Sequence, residues 1–396
     1  MLSWSRPPGG HRPLSDLGSL LPGASIFRSI YLRPRVAARQ IMQLELGELM
    51  TKSNLVQLDD RLHAQRQTFD RLPIVDVGPL LDGSDAQSVA KEFRWALANV
   101  GFMYIKNHRI SEKLLDETFV QAKAFFNLPL EEKMKLHVSN SGVALRGYIE
   151  IFGENTDPSK TKDLKECFDI GPERPNVESP FFGPNQWPAT LPGFRETVFA
   201  YHEAMKELSI TLLRGIALSL DLSPDFFEPR TKDPITTQRL QRYPPQTGVV
   251  DERIIGIGAH TDFGSLGIIA QDSAGGLQVM NRNGIWVEGM PVPGTFVVNI
   301  GDLLQKLTND VYLANLHRVV NTSGRERYSI PFFIDADHDA VFAPLESCVS
   351  EANPGQYPPI TCGAYKFGKY IKHFPHLRGR DGYGTAPPAM SSSNSG

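Results

Sequence analysis

The sequence predicts a mainly β protein with flanking helices, its core a jelly roll, or double-stranded β-helix. Two observations carry that expectation. From about residue 237 to 345 the chain is a series of short runs rich in β-branched and aromatic residues, among them RLQRY, LGIIAQ, TFVVNI and RYSIPFFI, separated by Gly, Pro, Asn and Asp. Ahead of them, residues 193–222 place Phe199, Met205, Leu208, Leu212 and Leu213 at helical spacing, which suits a helix packed outside a sheet.

The elements follow in order. LPIVDV at 72–77 is a β-branched run that predicts a strand, and Val89, Phe93, Ala96, Leu97 and Val100 recur with a helical period behind it. GFMYIKNH at 101–108 predicts a second strand. Ser111 stands at an N-cap position for a helix through Leu115, Phe119 and Phe125 to Pro129. The strand-rich part follows the long helix, with IIGIG, GLQVM, GIWVEG and HRVVN completing the series.

These signals divide the chain into a leader over 1–66, one domain over 70–380 and a tail over 381–396. Within the domain, 70–235 is read as a helical N-terminal part, 236–345 as the jelly-roll core and 346–380 as a C-terminal segment. The first 40 residues contain Arg6, Arg12, Arg28, Arg33, Arg35 and Arg39 but no Lys, with Asp16 their one acid. That bias fits a transit peptide, a disordered leader, or sequence upstream of a start at Met42 or Met50. The tail, DGYGTAPPAMSSSNSG, is too rich in Gly, Pro and Ser to pack and is expected to be disordered.

Composition narrows the partners. A hydrophobic fraction of 41% with 21% charged residues, and no run of 18 apolar residues, argues against a membrane span. A formal net charge of -3 argues against a nucleic-acid partner. A monomer acting on a small molecule is the expectation. Cys167, Cys348 and Cys362 are odd in number and form no C-x-x-C pair, so a reducing compartment is expected: the cytoplasm, or an organelle if residues 1–40 are a transit peptide.

The chemistry lies in GAHTDFG at 258–264. On a strand, residues two apart share a face, so His260 and Asp262 point to one spot inside an apolar run. Buried there, they need a hydrogen-bond partner or a cation. Two His and one carboxylate with open positions make the facial triad of non-heme Fe(II) oxygenases, and His317 in LHRVV is the natural third ligand. Ten residues further on, Arg327 and Ser329 again share a strand face; the guanidinium fork matches a carboxylate and Ser adds a hydroxyl, so an organic acid is expected near the metal.

Taken together, HTD at 260–262, NIGDLLQ at 299–305, HRV at 317–319 and RYS at 327–329 resemble the iron(II)/2-oxoglutarate-dependent dioxygenases, in the isopenicillin N synthase-like branch. The resemblance spans about 70–380. It implies that His260, Asp262 and His317 ligate Fe(II), that Arg327 and Ser329 hold the distal carboxylate of 2-oxoglutarate, and that Tyr243 in QRYPP adds a hydroxyl to it. Beyond the metal ligands it implies no separate catalytic residue. It also implies that O2 is consumed, that 2-oxoglutarate leaves as succinate and CO2, and that a small organic metabolite is hydroxylated, desaturated or cyclised. A cosubstrate-free Fe(II) oxidase of the isopenicillin N synthase type, an ethylene-forming activity and a non-catalytic metal-binding jelly roll are the alternatives. Arg146, in RGY, is read either as a contact for an anionic substrate or as a structural residue. The sequence departs from the plant pattern at Gln241 and Arg242, at Arg109 in place of the Gly of Asn-His-Gly, and at Asp310, where Gly is common; a solvated turn is the reading of Asp310.

Overall fold

The computed structural model describes residues 57–58, 72–157, 161–174, 179–246, 249–250, 253–281, 283–373 and 377. They belong to one unit spanning residues 55–396. The predicted tail lies outside the described residues, as does the leader except for Gln57–Leu58, which pairs in parallel with Val249–Val250.

The chain runs β1 (Ile74–Asp76), α1 (Ala86–Asn99), β2 (Phe102–Lys106), α2 (Glu112–Phe126), β3 (Gly147–Ile149), β4 (Glu166–Ile170), α3 (Phe194–Ser219), β5 (Thr236–Tyr243), β6 (Ile257–His260), β7 (Leu266–Gln271), β8 (Leu277–Met280), β9 (Trp286–Glu288), β10 (Thr295–Ile300), α4 (Asp302–Leu307), β11 (His317–Val319), β12 (Arg327–Ile334) and α5 (Cys362–His373). Ser111 caps α2 as its position predicts, its Oγ accepting the Leu114 N–H.

Eight strands form one sheet in the order β1-β2-β10-β7-β12-β5-β4-β3, and β6-β11-β8-β9 form a second. This pair of sheets is the jelly roll. Strand periodicity sorts β12 cleanly. Tyr328, Ile330, Phe332 and Ile334 enter the main core together with Leu212, Leu213 and Ile216 of α3, while Arg327 and Ser329 line the cavity on the opposite face. No helix among the described residues is long and apolar enough to cross a membrane.

The large sheet reaches further back than the 236–345 stretch. β3 and β4 lie in the part read as helical, and β4 pairs antiparallel with β5 from Glu166↔Arg242 to Ile170↔Gln238. The run ECFDI shows no apolar alternation because its acids are buried in ion pairs: Glu166 accepts from Lys133 and Arg242, and Asp169 from Arg239. Two departures from the family pattern fall on left-handed backbone, where a side chain is strained and glycine is favoured: φ is +62° at Arg109 and +67° at Asp310. Asp310 does lie in the turn after α4, half-buried rather than fully solvated, and its Oδ1 accepts bonds from Gln305 Nε2 at 2.8 Å and Tyr357 OH at 2.7 Å.

Candidate active site

β6 and β11 run antiparallel with His260 opposite His317, so the strand register itself brings the two imidazoles together, 4.1 Å between ring centroids. Asp262 lies just past the end of β6, not on the strand as its spacing suggests. Its position comes from the returning chain: the Asp302 N–H donates to Asp262 O at 2.8 Å and the Leu303 N–H to Gly264 O at 3.1 Å. Asp262 Oδ1 then stands 3.7 Å from the Nε2 of each histidine.

The ring orientations suit metal binding. His260 Nδ1 faces Gly258 O at 2.9 Å and His317 Nδ1 faces Asn315 O at 3.2 Å. A carbonyl has no proton to give, so each ring keeps its proton on Nδ1 and presents a lone pair at Nε2. Burial, reinforced by the neighbouring His260, pushes the His317 pKa well below the ordinary imidazole value, which keeps the ring neutral. All three ligand atoms lie within 4.8 Å of one another. Metal–ligand bonds of about 2 Å place adjacent ligand atoms about 3 Å apart, so a small inward adjustment closes this set on one ion.

Two residues with no role assigned from sequence hold these ligands. Asn299 Nδ2 donates to Asp262 Oδ2 at 2.6 Å, leaving Oδ1 to face the histidines. A Cβ at Gly267 would come within 2.8 Å of Asn299 Oδ1 and 3.1 Å of Asp262 Oδ2, so glycine leaves room for this contact. Asp163 accepts the Gly258 N–H at 3.0 Å and thereby fixes the backbone that orients His260. In the sequence Asn299 is marked as the first residue of the NIGDLLQ run, at the end of an apolar strand, but nothing there ties it to Asp262. Asn299→Ala removes the partner of Asp262 Oδ2, and metal affinity is expected to fall by about tenfold or more, as read by titration with Mn(II). Unchanged affinity would show that Asp262 is held by its backbone alone.

Arg327 and Ser329 are opposite Tyr243 and Gln241 on β5. Arg327 is 1% exposed. Its Nε donates to Gly275 O at 2.6 Å and its Nη1 to Ser329 Oγ at 3.1 Å, with the guanidinium 4.6 Å from the centre of the Tyr243 ring. It makes no ion pair with a carboxylate among the described residues, although a buried cation without a counter-charge is costly. Tyr243 OH and Ser329 Oγ both donate to Gln241 Oε1, at 2.8 and 3.2 Å. Three donor side chains thus cluster on one wall that carries a net positive charge.

One cavity of about 600 Å³ contains both groups. Part of its wall is a chain of buried ion pairs in which Glu154 accepts from Lys165 at 2.6 Å and from Arg239 at 2.6 Å, while Arg239 grips Asp169 with two bonds of 2.7 Å. Burial alone would raise the Glu154 pKa, but Arg239 and Lys165 outweigh it and hold the carboxyl far below its usual range. Arg146 also lines the cavity; its guanidinium donates to the main-chain carbonyls of Leu145 and Phe181, which fits the structural reading, while its buried Nε has no hydrogen-bond partner among the described residues.

Comparison with known proteins decides the family. Residues 72–190 match the model for the N-terminal region of the non-haem dioxygenase in morphine synthesis, and residues 234–336 match that of the 2OG-Fe(II) oxygenase superfamily. A 2-oxoglutarate-Fe(II) type oxidoreductase of Emericella nidulans is 41% identical over 313 residues, covering 74% of this chain and 89% of that protein. The chain belongs to the 2OG-Fe(II) oxygenase superfamily. Among other superfamily members, a homoarginine-6-hydroxylase of Oryza sativa is 34% identical over 77% of this chain and 98% of its own. A full-length Neurospora crassa protein, crystallised in complex with alpha-KG, superposes with a TM-score of 0.68 at 29% identity, covering 76% of this chain and 96% of that one. As a member of this superfamily, the protein is an oxygenase that uses Fe(II), 2-oxoglutarate and O2 on a small-molecule substrate.

Proposed function

We propose that His260, Asp262 and His317 are the iron ligands of this oxygenase and that Arg327, Ser329 and Tyr243 receive the distal carboxylate of 2-oxoglutarate. The observation that carries the reading is the pairing, in one cavity, of a His-Asp-His cluster with a buried arginine that has no counter-ion among the described residues. Bound there, Fe(II) with 2-oxoglutarate and O2 supplies the oxidising power that oxygenates the substrate. The chain's own residues hold and aim. Asn299 and the two main-chain carbonyls set the ligand orientations, and the guanidinium fork of Arg327 fixes the cosubstrate's far end.

The same reading places a small polar metabolite against the Glu154–Lys165–Arg239–Asp169 wall, because fixed, fully paired charges offer both donors and acceptors at no reorganisation cost. Support comes from relatives named for homoarginine hydroxylation and from the same Neurospora crassa protein, whose structure is also known in complex with alpha-KG and thymine. The catalytic domain is taken as 70–380. To test the reading, purified protein is supplied with Fe(II), O2 and 2-oxoglutarate and challenged with guanidino compounds, amino acids, nitrogen heterocycles and terpenoids, scoring succinate and a mass gain of one oxygen. Polar compounds should be oxidised. Turnover confined to terpenoids would contradict the polar assignment.

A further inference from the structure

The segment 262–265, which carries the carboxylate of the metal triad, is bracketed by two further acids, Asp302 and Asp335. Neither belongs to the His-Asp-His cluster. Asp335 is fully buried; its Oδ1 accepts the Ser265 N–H at 2.5 Å and lies so close to Gly264 that a Cβ there would come within 2.2 Å of it. Asp302 opens α4, and three successive N–H groups at that turn reach across: Gly301 to Ser265 O at 3.0 Å, Asp302 to Asp262 O at 2.8 Å and Leu303 to Gly264 O at 3.1 Å.

Both acids are gripped from one helix. Lys366 and Lys369 of α5 are three residues apart and therefore share a face. Lys366 Nζ pairs with Asp335 Oδ2, and Lys369 Nζ pairs with Asp302 Oδ2 at 2.8 Å, joined on the same oxygen by Tyr365 OH at 2.8 Å. Lys369 Nζ also lies 5.0 Å from the centre of the Phe263 ring, and the His373 ring 5.2 Å from it. Phe263 is the residue next to Asp262. The helix thus reaches the loop at Asp335, at Asp302 and directly at Phe263.

We infer that α5 is a positioning element for the metal carboxylate: Lys366 holds Asp335, whose carboxylate holds the Ser265 N–H, and Lys369 holds Asp302 at the start of α4, whose main-chain N–H holds Asp262 O, so that Asp262 Oδ1 stays aimed at the two Nε2 atoms. The inference rests on the reading of His260, Asp262 and His317 as the metal site. Lys366 and Lys369 touch neither cosubstrate nor metal. Their effect passes through the backbone, because a loop freed at either side lets the carboxylate swing and spreads it over orientations that do not ligate.

The test uses full-length protein carrying Lys366→Met, Lys369→Met, both, or the corresponding arginines, with His260→Ala as the reference for a broken triad. Mn(II) affinity is read from loss of the free-ion electron paramagnetic resonance signal, well below the unfolding temperature of each variant. The expected result is a loss of about tenfold or more in Mn(II) affinity in the double methionine protein, a smaller loss in Lys369→Met, and recovery in the arginine variants, whose charge still reaches the acids. Lys369 is partly exposed, so its methionine variant keeps the test alive if Lys366→Met fails to fold. Methionine variants that melt earlier yet bind Mn(II) like the parent would overturn the inference and leave the helix a purely structural prop. Equal Mn(II) binding by parent and His260→Ala would instead sink the triad reading on which it rests.

Discussion

Replacing Asp262 with alanine is expected to abolish succinate formation and tight Fe(II) binding while leaving a folded protein. The carboxylate supplies the one anionic ligand of the set, and without it two neutral imidazoles 4.1 Å apart are left to hold a divalent ion. Its side chain borders the cavity and is not packed in the core, so the fold loses little. His260→Ala should behave alike. His317→Ala should also lose stability, since that ring is buried edge-on against Phe102 at 5.3 Å. Succinate is the readout for activity and circular dichroism for the fold. Full turnover by the Asp262→Ala protein under saturating Fe(II) would remove this residue from the metal site.

Arg327→Ala has the second large effect. Truncating one side of a buried charge pair costs roughly 2–5 kcal/mol, which predicts a rise of about 30-fold or more in the KM for 2-oxoglutarate. Affinity for the primary substrate should change far less. Small keto acids lacking the distal carboxylate should partly restore turnover, because they leave no charge unpaired in the altered site. Ser329 Oγ and Tyr243 OH remain, both turned toward Gln241 Oε1, but neither offers a counter-charge. A variant that loses affinity only for its primary substrate would mean that the acid held by Arg327 belongs to that substrate.

The parts of this site that could be read from sequence are those governed by strand periodicity. Arg327 and Ser329 fall on one face because they are two apart on β12, and the apolar residues between and beyond them mark the other face. His260 and His317 could be named from residue type and order, although their meeting is a matter of register between strands. Asp262 joined them for a different reason than its spacing suggested, because the chain has left the strand by then and is held by α4. Long-range polar pairing was not legible. β4 carries Glu166 and Asp169 where an apolar pattern would have announced a strand, and their partners Arg242 and Arg239 lie about 70 residues away. Lys366 and Lys369 likewise look like an ordinary charged helix face until the fold sets Asp335 and Asp302 against them. Arg109 and Asp310 stand where glycine is common, and the left-handed backbone at both explains the preference they break.

The metal and cosubstrate sites are tested together by a crystal structure grown with Mn(II) and 2-oxoglutarate, with anomalous scattering used to place the metal. One strong peak is expected, bounded by His260 Nε2, Asp262 Oδ1 and His317 Nε2, with the distal carboxylate of 2-oxoglutarate against Arg327 and Ser329. A metal bound elsewhere, or a cosubstrate whose far carboxylate lies away from Arg327, would contradict the proposed site.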